Sequence, residues 1–262
     1  MTEREYRAHP AVNKSTLWEL RKSPAHYRHA LSAPTDDTPA LLFGRMVHKL
    51  LLQPDDFNAE FAVAPDVNRR TKAGQEEWAA FMAANEGLSI VTADEYLTAC
   101  TMANVVRSVP AARPLLEQLT PELPLFWRDD ITGIECKCRC DLIGPGIVVD
   151  YKTCDDASTE AFTRKALSYG YDLQAAMYSS GATANGYGDT IDWIFIAQEQ
   201  KPPYAVNVIR AGDAFLERGF WRMNALLEKY AVAKAADFWP SYNETAEPNE
   251  IILPEWAVIP ED

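Results

Sequence analysis

Residues 139–153 read RCDLIGPGIVVDYKT, two segments joined by a short turn. The GPG at the centre is typical of a tight turn, and the IVVDYK that follows is apolar enough to form a central strand of a sheet. Side chains alternate between the two faces of a strand, so Asp150 and Lys152 lie on the same face, roughly 7 Å apart along it. Because the turn folds the first segment back beside the second, Asp141 can converge with them on one point.

Two carboxylates and a lysine at one edge of a sheet have a specific chemical use. Hard divalent cations such as Mg²⁺ prefer oxygen ligands and are held by one or two carboxylates together with substrate phosphate. A bound cation lowers the pKa of its water and neutralises charge on a phosphodiester, and a nearby ammonium group can orient that water. An isolated Asp-x-Lys, however, is more often a strand end beside a surface ion pair, because short motifs have many false positives.

Alternating apolar residues on both sides of this stretch predict a sheet of about five strands, near the usual number. Leu123–Trp127 and Ile134–Ile143 alternate around the turn DDITG, which predicts a hairpin. With the strand after the GPG turn, this makes three consecutive antiparallel strands. Ile191–Ala197 and Tyr204–Ile209 predict two more.

Capping residues and helical spacing of apolar residues predict helices around these strands. The predicted helices are two short ones capped by Asn13 and Ser23, then Ala40–Leu52, Ala73–Asn85, Ala93–Ser108, one capped by Ser158, one capped by Asp172, and Ala214–Ala236. Residues 1–262 are interpreted as one domain, with a helical N-terminal part (1–115), a catalytic core (116–240) and a C-terminal tail (241–262). The tail residues expected to dock on the body or on a neighbouring subunit are Ile251, Ile252, Leu253 and Trp256.

The composition is that of an ordinary globular protein, with 47% hydrophobic and 24% charged residues among 262. No run of about 18 apolar residues occurs, and the N-terminus lacks the basic start and apolar stretch of a signal peptide. The five cysteines are an odd number without a CxxC pair, which argues against a disulfide framework. We therefore expect a soluble, cytoplasmic protein with reduced thiols.

The net charge of −13 argues against a nucleic-acid partner, because lysine and arginine dominate phosphate binding. A nuclease, however, needs acidic residues at its metal site and basic residues only along the path of the strand. Two local basic clusters occur in the N-terminal part, and each is explained equally well as a solvated surface. These clusters are Arg21, Lys22, Arg28 and His29, and then Arg69, Arg70 and Lys72.

The motifs around the opening stretch resemble those of the PD-(D/E)xK (RecB-like) nuclease superfamily. Residues 44–48 read GRMVH, with His48 last, and Gln174 and Tyr178 lie four residues apart on one helix face. PELPLFW at 121–127, CRCD at 138–141 and YGYDLQ at 169–174 resemble the RecE-type exodeoxyribonuclease VIII family in particular. The resemblance extends from about Tyr6 to Trp256, and the combined order of motifs is far more specific than any one of them. One departure is Cys140, where that family usually has proline.

The resemblance also implies roles for individual residues. The implied metal ligands are His48, Glu122, Asp141, Asp150 and Tyr151. Lys152 would position the attacking water, while Gln174 and Tyr178 would orient the scissile strand or support that lysine. Glu135, at the other end of the same hairpin, remains an alternative to Glu122.

Three further residues are candidates to hold the terminal phosphate of the DNA. They are Ser15, Arg45 and Arg139, and capping or ion pairing explains each of them at least as well. Their role therefore depends on whether they face the predicted metal site.

The implied fold is α/β, a PD-(D/E)xK restriction-endonuclease-like core in which helices flank a central mixed β-sheet, with an N-terminal helical embellishment. The implied activity is Mg²⁺-dependent 5′-to-3′ exonuclease action on linear double-stranded DNA, with Mn²⁺ able to substitute. It would leave 3′ single-stranded overhangs for a RecT-type single-strand annealing protein, as in phage recombination. A ring-like homo-oligomer, a trimer or tetramer, would enclose the duplex.

Other functions remain open at this stage. The same core could serve an endonuclease or structure-specific nuclease, because the motif specifies hydrolysis but not polarity. A catalytically silent DNA-end-binding module is a second alternative, whereas a glycosidase would leave the lysine unexplained. Some RecB-like nucleases hold an iron-sulfur cluster on four cysteines, but Cys136, Cys138 and Cys140 on one strand face are better interpreted as small core residues.

Overall fold

The computed structural model describes residues 3–33, 38–243 and 247–253. The N-terminal elements are α1 (Glu3–Ala8), α2 (Lys14–Glu19), α3 (Pro24–Ser32), α4 (Pro39–Leu52), a 3-10 helix (Pro54–Ala59), β1 (Phe61–Val63), α5 (Lys72–Ala84), β2 (Ser89–Val91), α6 (Ala93–Ser108) and α7 (Arg113–Gln118). The later elements are β3 (Thr120–Arg128), β4 (Glu135–Gly144), β5 (Ile147–Cys154), α8 (Thr159–Tyr169), α9 (Tyr171–Ala184), β6 (Asp192–Glu199), β7 (Val206–Arg210) and α10 (Asp213–Ala236).

The central sheet has five strands in the order β3-β4-β5-β6-β7. Strands β3, β4 and β5 are antiparallel neighbours, as predicted, whereas β5 and β6 are parallel. A parallel pair needs a crossover connection, and α8 with α9 provides it. The predicted α/β fold with a mixed sheet flanked by helices is therefore confirmed.

The sheet carries a hydrophobic core on each face. On one face, α4 and α6 pack through residues such as Met46 and Met102 against Val149 of β5. On the other face, Ala175 of α9 packs near Val148 of β5. Because consecutive residues of β5 face opposite cores, the strand is buried on both sides and holds its functional side chains rigidly.

Lys137 of β4 lies inside the protein, where it fastens the N-terminal segment to the sheet. Its side chain is almost fully buried, and Nζ donates to the carbonyl oxygens of Tyr6 and His9, both at 2.6 Å. A buried ammonium group needs such partners, because its transfer from water is costly. Lys137 lies on the same face of β4 as Arg139, since both side chains contact the Tyr6 ring, with Lys137 Nζ 4.8 Å and Arg139 Cζ 5.2 Å from its centroid.

The start of α9 also differs from prediction, because Gly170 rather than Asp172 is the residue ahead of the helix. Gly170 adopts a left-handed conformation with φ 66°, which glycine tolerates best. The fully buried Asp172 instead pairs with two arginines of α10, Arg222 at 2.9 Å and Arg218 at 3.3 Å. The caps at Asn13, Ser23 and Ser158 are confirmed.

Several short elements were not predicted, namely α1, α7, β1 and β2. Pro114 lies in the first turn of α7, where its missing N–H costs nothing. Strands β1 and β2 contain three residues each and pair only with each other. Segments this short give little periodicity to recognise.

The C-terminal tail contacts the body near its start, where the rings of Tyr242 and His26 have centroids 5.6 Å apart, but its described end is exposed. Ile251, Ile252 and Leu253 are 90%, 84% and 59% exposed. Trp256 lies outside the described residues. Ile251, Ile252 and Leu253 therefore do not pack closely on the body, while docking of the tail on a neighbouring subunit stays a prediction.

All five cysteines are free, four of them are buried and Cys100 is half-buried. Cys138 and Cys140 belong to the core beneath α9, and Cys136 to the core between α2, α9 and α10. They fill space as small apolar residues, as predicted. No helix in the part of the chain that the structure describes is long and apolar enough to cross a membrane.

Gly219 of α10 should be intolerant of any side chain. A Cβ at this position would lie 2.1 Å from the main-chain oxygen of Asp172, so α10 would have to move away from α9. We expect Gly219→Ala to lower the free energy of unfolding by about 2 kcal/mol, since overpacking outweighs the gain in helix propensity. Urea denaturation of the full chain measures the change.

Gly212, just before the same helix, is the matched control. A Cβ there would meet nothing within 4 Å. Gly212→Ala should therefore leave the unfolding midpoint nearly unchanged. Equal midpoints for the two variants would contradict the close α9–α10 contact.

Candidate active site

The candidate site opens where β4 separates from β5 while remaining paired with β3. The ladder between β4 and β5 ends at the Leu142–Val149 pair. At the preceding residue of β4, a side chain takes the place of a main-chain oxygen. Asp141 Oδ2 accepts a hydrogen bond from the main-chain N–H of Tyr151 at 2.8 Å. On the other side, Glu122 of β3 has a φ of 52°, a strained conformation for a non-glycine residue. The carboxylates of both strands thus turn into a common cleft.

Helix α4 contributes the third member of this cluster. His48 Nε2 lies 3.1 Å from Asp141 Oδ2, and its Nδ1 lies 3.3 Å from Glu122 Oε1. One ligand atom from each residue lies within 4.8 Å of the others. Among the residues that the structure describes, His48, Glu122 and Asp141 form the group of potential ligands that lie close enough together to hold a metal ion. His48 reaches the cleft because Met46 and Val47 anchor α4 in the core.

Asp150 of β5 forms the opposite wall of the cleft. Lys152 Nζ lies 2.8 Å from its Oδ1 and 2.6 Å from its Oδ2. Gln174 of α9 donates through Nε2 to the same Oδ1. Gln174 thus supports Lys152 through the carboxylate that both residues contact, while Tyr178, one turn later, lines the cleft and packs edge-on against Trp193.

The electrostatics of the cleft indicate an excess of negative charge. Burial raises the pKa of Glu122 to about 7 and that of Asp150 to about 6. Burial alone would lower the pKa of His48, but the charges of Asp141 and Glu122 outweigh it and raise this pKa to about 9. Burial also acts to lower the pKa of Lys152, and Asp150 with Asp141 reverses the effect. Burial acts to raise the pKa of Asp141 as well, but the charge of His48 and its hydrogen bond outweigh burial and lower it. Glu122 and Asp150 therefore take up protons more readily than free carboxylates do, and a cation would displace those protons.

These residues fit a divalent metal ion. PD-(D/E)xK nucleases generally use one, and carboxylate oxygens with an imidazole nitrogen are suitable ligands for Mg²⁺ or Mn²⁺. His48, Glu122 and Asp141 would hold the ion, with Asp150 facing them across the cleft. The geometry thus brings the predicted ligands together, while their roles stay predictions.

Two of the sequence interpretations need refinement. Tyr151 lines the cleft, and its ring lies beside that of His48 with the centroids 6.2 Å apart, while its hydroxyl donates to Gln198 Oε1 in the core at 2.6 Å. The hydroxyl is therefore not available as a metal ligand. The choice between Glu122 and Glu135 also resolves, since Glu135 pairs with Arg128 at the far end of the hairpin and only Glu122 lines the cleft.

The cleft has two connected parts. The smaller, of about 400 Å³, contains all of the predicted catalytic residues, and Ser15 and Arg139 line it. The larger, of about 1080 Å³, shares His48, Glu122, Arg139 and Lys152 with it. Arg139 Nε pairs with Glu122 Oε2 at 2.9 Å. Arg45 lines the larger part, where Nη2 donates to Ser89 Oγ at 3.2 Å.

Sequence reasoning assigned no role to some residues that line the cleft. Lys14 donates through Nζ to the carbonyl oxygen of Tyr169 at 2.7 Å and lies beside the smaller part. The Tyr171 ring centroid lies 5.1 Å from Lys152 Nζ. Tyr169 and Tyr171 were considered only as part of a motif, and Lys14 was not considered. No local pattern shows that these segments meet.

Two solved structures are similar to this chain, and the first of them agrees with the fold. A crystal structure of a candidate exonuclease from Eubacterium rectale aligns with a TM-score of 0.64, 11% identity, and coverage of 97% of this chain and 96% of that one. A phage-related exonuclease from Haemophilus somnus 129PT aligns over 87% of this chain and 97% of its own length, with 14% identity and a TM-score of only 0.32. The first similarity shows the fold alone. No curated protein matches the sequence.

A family model covers most of the chain. It is DUF3799, described as a PDDEXK-like domain of unknown function, and it matches residues 14–250. The match confirms the predicted PD-(D/E)xK superfamily and supports the predicted enzyme class, a nuclease, which is a hydrolase acting on DNA. This chain belongs to the DUF3799 family of PDDEXK-like domains.

Proposed function

We propose that this protein is a Mg²⁺-dependent exonuclease that degrades the 5′-ended strand of linear double-stranded DNA. One observation supports the proposal above all: Asp141, Asp150 and Lys152, from two neighbouring strands, line one cleft together with His48 and Glu122. Phosphodiester hydrolysis requires such a combination of acidic ligands and a lysine, whereas a surface ion pair would not bring all five residues together.

The roles follow from the contacts. When bound, a divalent cation supplies a water of lowered pKa and neutralises charge on the phosphate. Lys152, held by Asp150, presents its ammonium group to the water and to the charge that develops on the phosphate. Gln174 fixes Asp150 and so orients Lys152. Arg139 and Ser15 line the same part of the cleft and are suited to bind a terminal phosphate.

The direction of degradation and the assembly belong to the same proposal. Action on the 5′-ended strand leaves a 3′ single-stranded overhang, which a RecT-type single-strand annealing protein would use in recombination. A ring-like homo-oligomer, a trimer or tetramer, would keep the enzyme on its DNA. Such a ring would also reconcile DNA binding with the net charge of −13, since basic residues need to face only the channel.

A catalytically silent DNA-end-binding module is the alternative from a different class. The intact acidic cluster counts against it, because binding alone gives no reason to bury Asp150 against Lys152. Burying two charges costs free energy and gives little stability in return, so a catalytic role explains the buried pair better than a structural one.

Replacement of Lys152 should abolish hydrolysis. With 5′-end-labelled linear duplex and Mg²⁺, we expect the native chain to release labelled nucleotides and Lys152→Ala to do so roughly 100-fold more slowly or worse, because the transition state loses its ammonium group. The control is Lys201→Ala, an exposed lysine that lines neither part of the cleft. Equal rates for Lys152→Ala and the native chain would contradict the assigned site.

The same assay tests polarity and end dependence. A 3′-end label should be retained until late in the reaction, and covalently closed circular DNA should stay intact. Cleavage of the circle would favour an endonuclease, and early release of the 3′ label would reverse the proposed direction. Absence of any metal-dependent cleavage would favour the silent module.

Metal affinity should rise with pH. His48 must lose its proton to ligate a metal, and its pKa of about 9 means that it is protonated at neutral pH. Raising the pH from about 6.5 to 8.5 should therefore tighten Mn²⁺ binding roughly 100-fold, a factor of ten per pH unit for each proton released. Titration calorimetry measures the affinities.

The matched variant is His48→Asn, whose amide does not titrate. Its pH dependence should be shallower than that of the native chain, because only the carboxylates still exchange protons. An affinity of the native chain that is the same at both pH values would contradict the assignment of His48.

A further inference from the structure

Two tyrosines extend the active site along the wall of the larger cleft. Tyr169 and Tyr171 have ring centroids 6.0 Å apart with an interplanar angle of 29°. Tyr171 lies 5.1 Å from Lys152 Nζ, so the pair begins directly at the proposed catalytic lysine. Both rings line the larger part of the cleft. With Lys14 and Lys165, which are described next, they form what we call the tyrosine strip.

The two lysines flank these rings. Lys14 Nζ lies 5.6 Å from the Tyr171 ring centroid, and Lys165 Nζ lies 5.9 Å from that of Tyr169. Cations at this distance over aromatic faces are electrostatically favourable. The strip therefore alternates aromatic and positively charged groups, starting at Lys152 and ending at the rim of the cleft.

The local backbone explains how the two rings come to stack. Gly170 separates α8 from α9 and has a left-handed conformation, φ 66°. The chain therefore changes direction between Tyr169 and Tyr171. A Cβ on Gly170 would lie 2.4 Å from the ring of Trp18. The close packing of Trp18 against Gly170 holds this junction in place, so the positions of the two rings are determined by the fold.

The ammonium groups of Lys14 and Lys165 are held by main-chain carbonyl oxygens. Lys14 donates to Tyr169 O at 2.7 Å, and Lys165 to Thr153 O at 3.5 Å. In the described parts of the chain, neither forms an ion pair with a carboxylate. Each ammonium group has three donors, so protons remain for phosphate oxygens.

Other cations along the cleft differ in this respect. Arg139 is paired with Glu122, and Lys49 with Glu60 at 2.6 Å.

Burial, with repulsion from Lys152, lowers the pKa of Lys14 to about 8. An anion beside Lys14 would relieve both effects.

The Tyr169 ring is open to solvent at the rim. The residue is 56% exposed although its neighbour Tyr171 is half-buried. Exposed aromatic faces beside lysines are the elements with which proteins bind single-stranded nucleic acid, since bases stack on the rings and phosphates contact the cations. A base inside a duplex is already stacked on both faces and is not free to do this.

We propose that the tyrosine strip binds the scissile DNA strand in single-stranded form, with a nucleobase stacked on Tyr169 and backbone phosphates at Lys14 and Lys165. This inference rests on the proposed nuclease function and deepens it. The strand that enters the site is separated from its complement before hydrolysis. The strip would hold the unpaired nucleotides in register with Lys152 and favour no particular base, because every base has a π face.

Binding without metal tests the strip independently of hydrolysis. The probe is an oligodeoxythymidine containing one 2-aminopurine, titrated with the full chain in EDTA. We expect 2-aminopurine fluorescence to be quenched on binding, and Tyr169→Ala to weaken binding about tenfold and to remove the quenching. Tyr169→Phe, which keeps the ring, should bind like the native chain.

A second variant tests the phosphate contact. Lys165→Gln should weaken binding and reduce the slope of log affinity against log salt by about 0.7, the value for one phosphate on a single strand. The matched control is Arg164→Gln on the same helix, because Arg164 pairs with Glu160 and lines neither part of the cleft. Tyr242→Ala is the control for Tyr169, since Tyr242 is 64% exposed and lies outside the cleft.

The outcomes separate this inference from the proposed function. Native affinity and quenching in Tyr169→Ala would overturn the strip, even if the protein degrades DNA. Equal effects in Tyr169→Ala and Tyr242→Ala would overturn it as well. Loss of binding in Tyr169→Ala by a protein that hydrolyses no DNA would support the strip and refute the nuclease.

Discussion

The hydrogen bond from the Tyr151 N–H to the Asp141 carboxylate is the contact on which the whole site depends. In a regular ladder the donor would pair with a main-chain oxygen, but here a side chain takes that place. The side chain keeps β4 attached to β5 at the point where their main-chain pairing ends. Strand β5 continues beyond it beside β6 as far as Cys154, so Asp150 and Lys152 remain on a rigid central strand while their former neighbour β4 turns away.

The same contact also organises the charges. Asp141 accepts from Tyr151 through the oxygen that faces His48, and His48 in turn faces Glu122. A separate group on the opposite wall joins Asp150, Lys152 and Gln174. Together the two groups place three carboxylates around one space, and the buried Asp150 Oδ2 has only its ion pair with Lys152, without a hydrogen bond among the described residues. Such a concentration of buried acids is costly unless a cation is available, which is why a metal centre accounts for the arrangement better than a structural ion-pair network.

Much of this could be predicted from residues 139–153, because strand periodicity and a glycine-proline turn are local properties. The convergence of Asp141 with Asp150 followed from that turn alone. Lys137 could not be predicted in the same way: its partners Tyr6 and His9 lie about 130 positions earlier, and no local pattern encodes that contact. The same limit applies to Asp172, whose arginine partners are on α10, and to Lys14, which meets the site only after α2 packs against α9. Glu122 could be separated from Glu135 only through its unusual backbone conformation and its position at the near end of the hairpin.

The location of a bound metal ion is the decisive measurement. Crystals of the native chain soaked in Mn²⁺ should be measured at the manganese absorption edge. The account predicts an anomalous peak in the cleft, about 2–2.5 Å from a nitrogen of His48 and from carboxylate oxygens of Glu122 and Asp141, on the side that faces Asp150. A well-occupied manganese elsewhere, with these side chains still paired to one another as they are here, would contradict it.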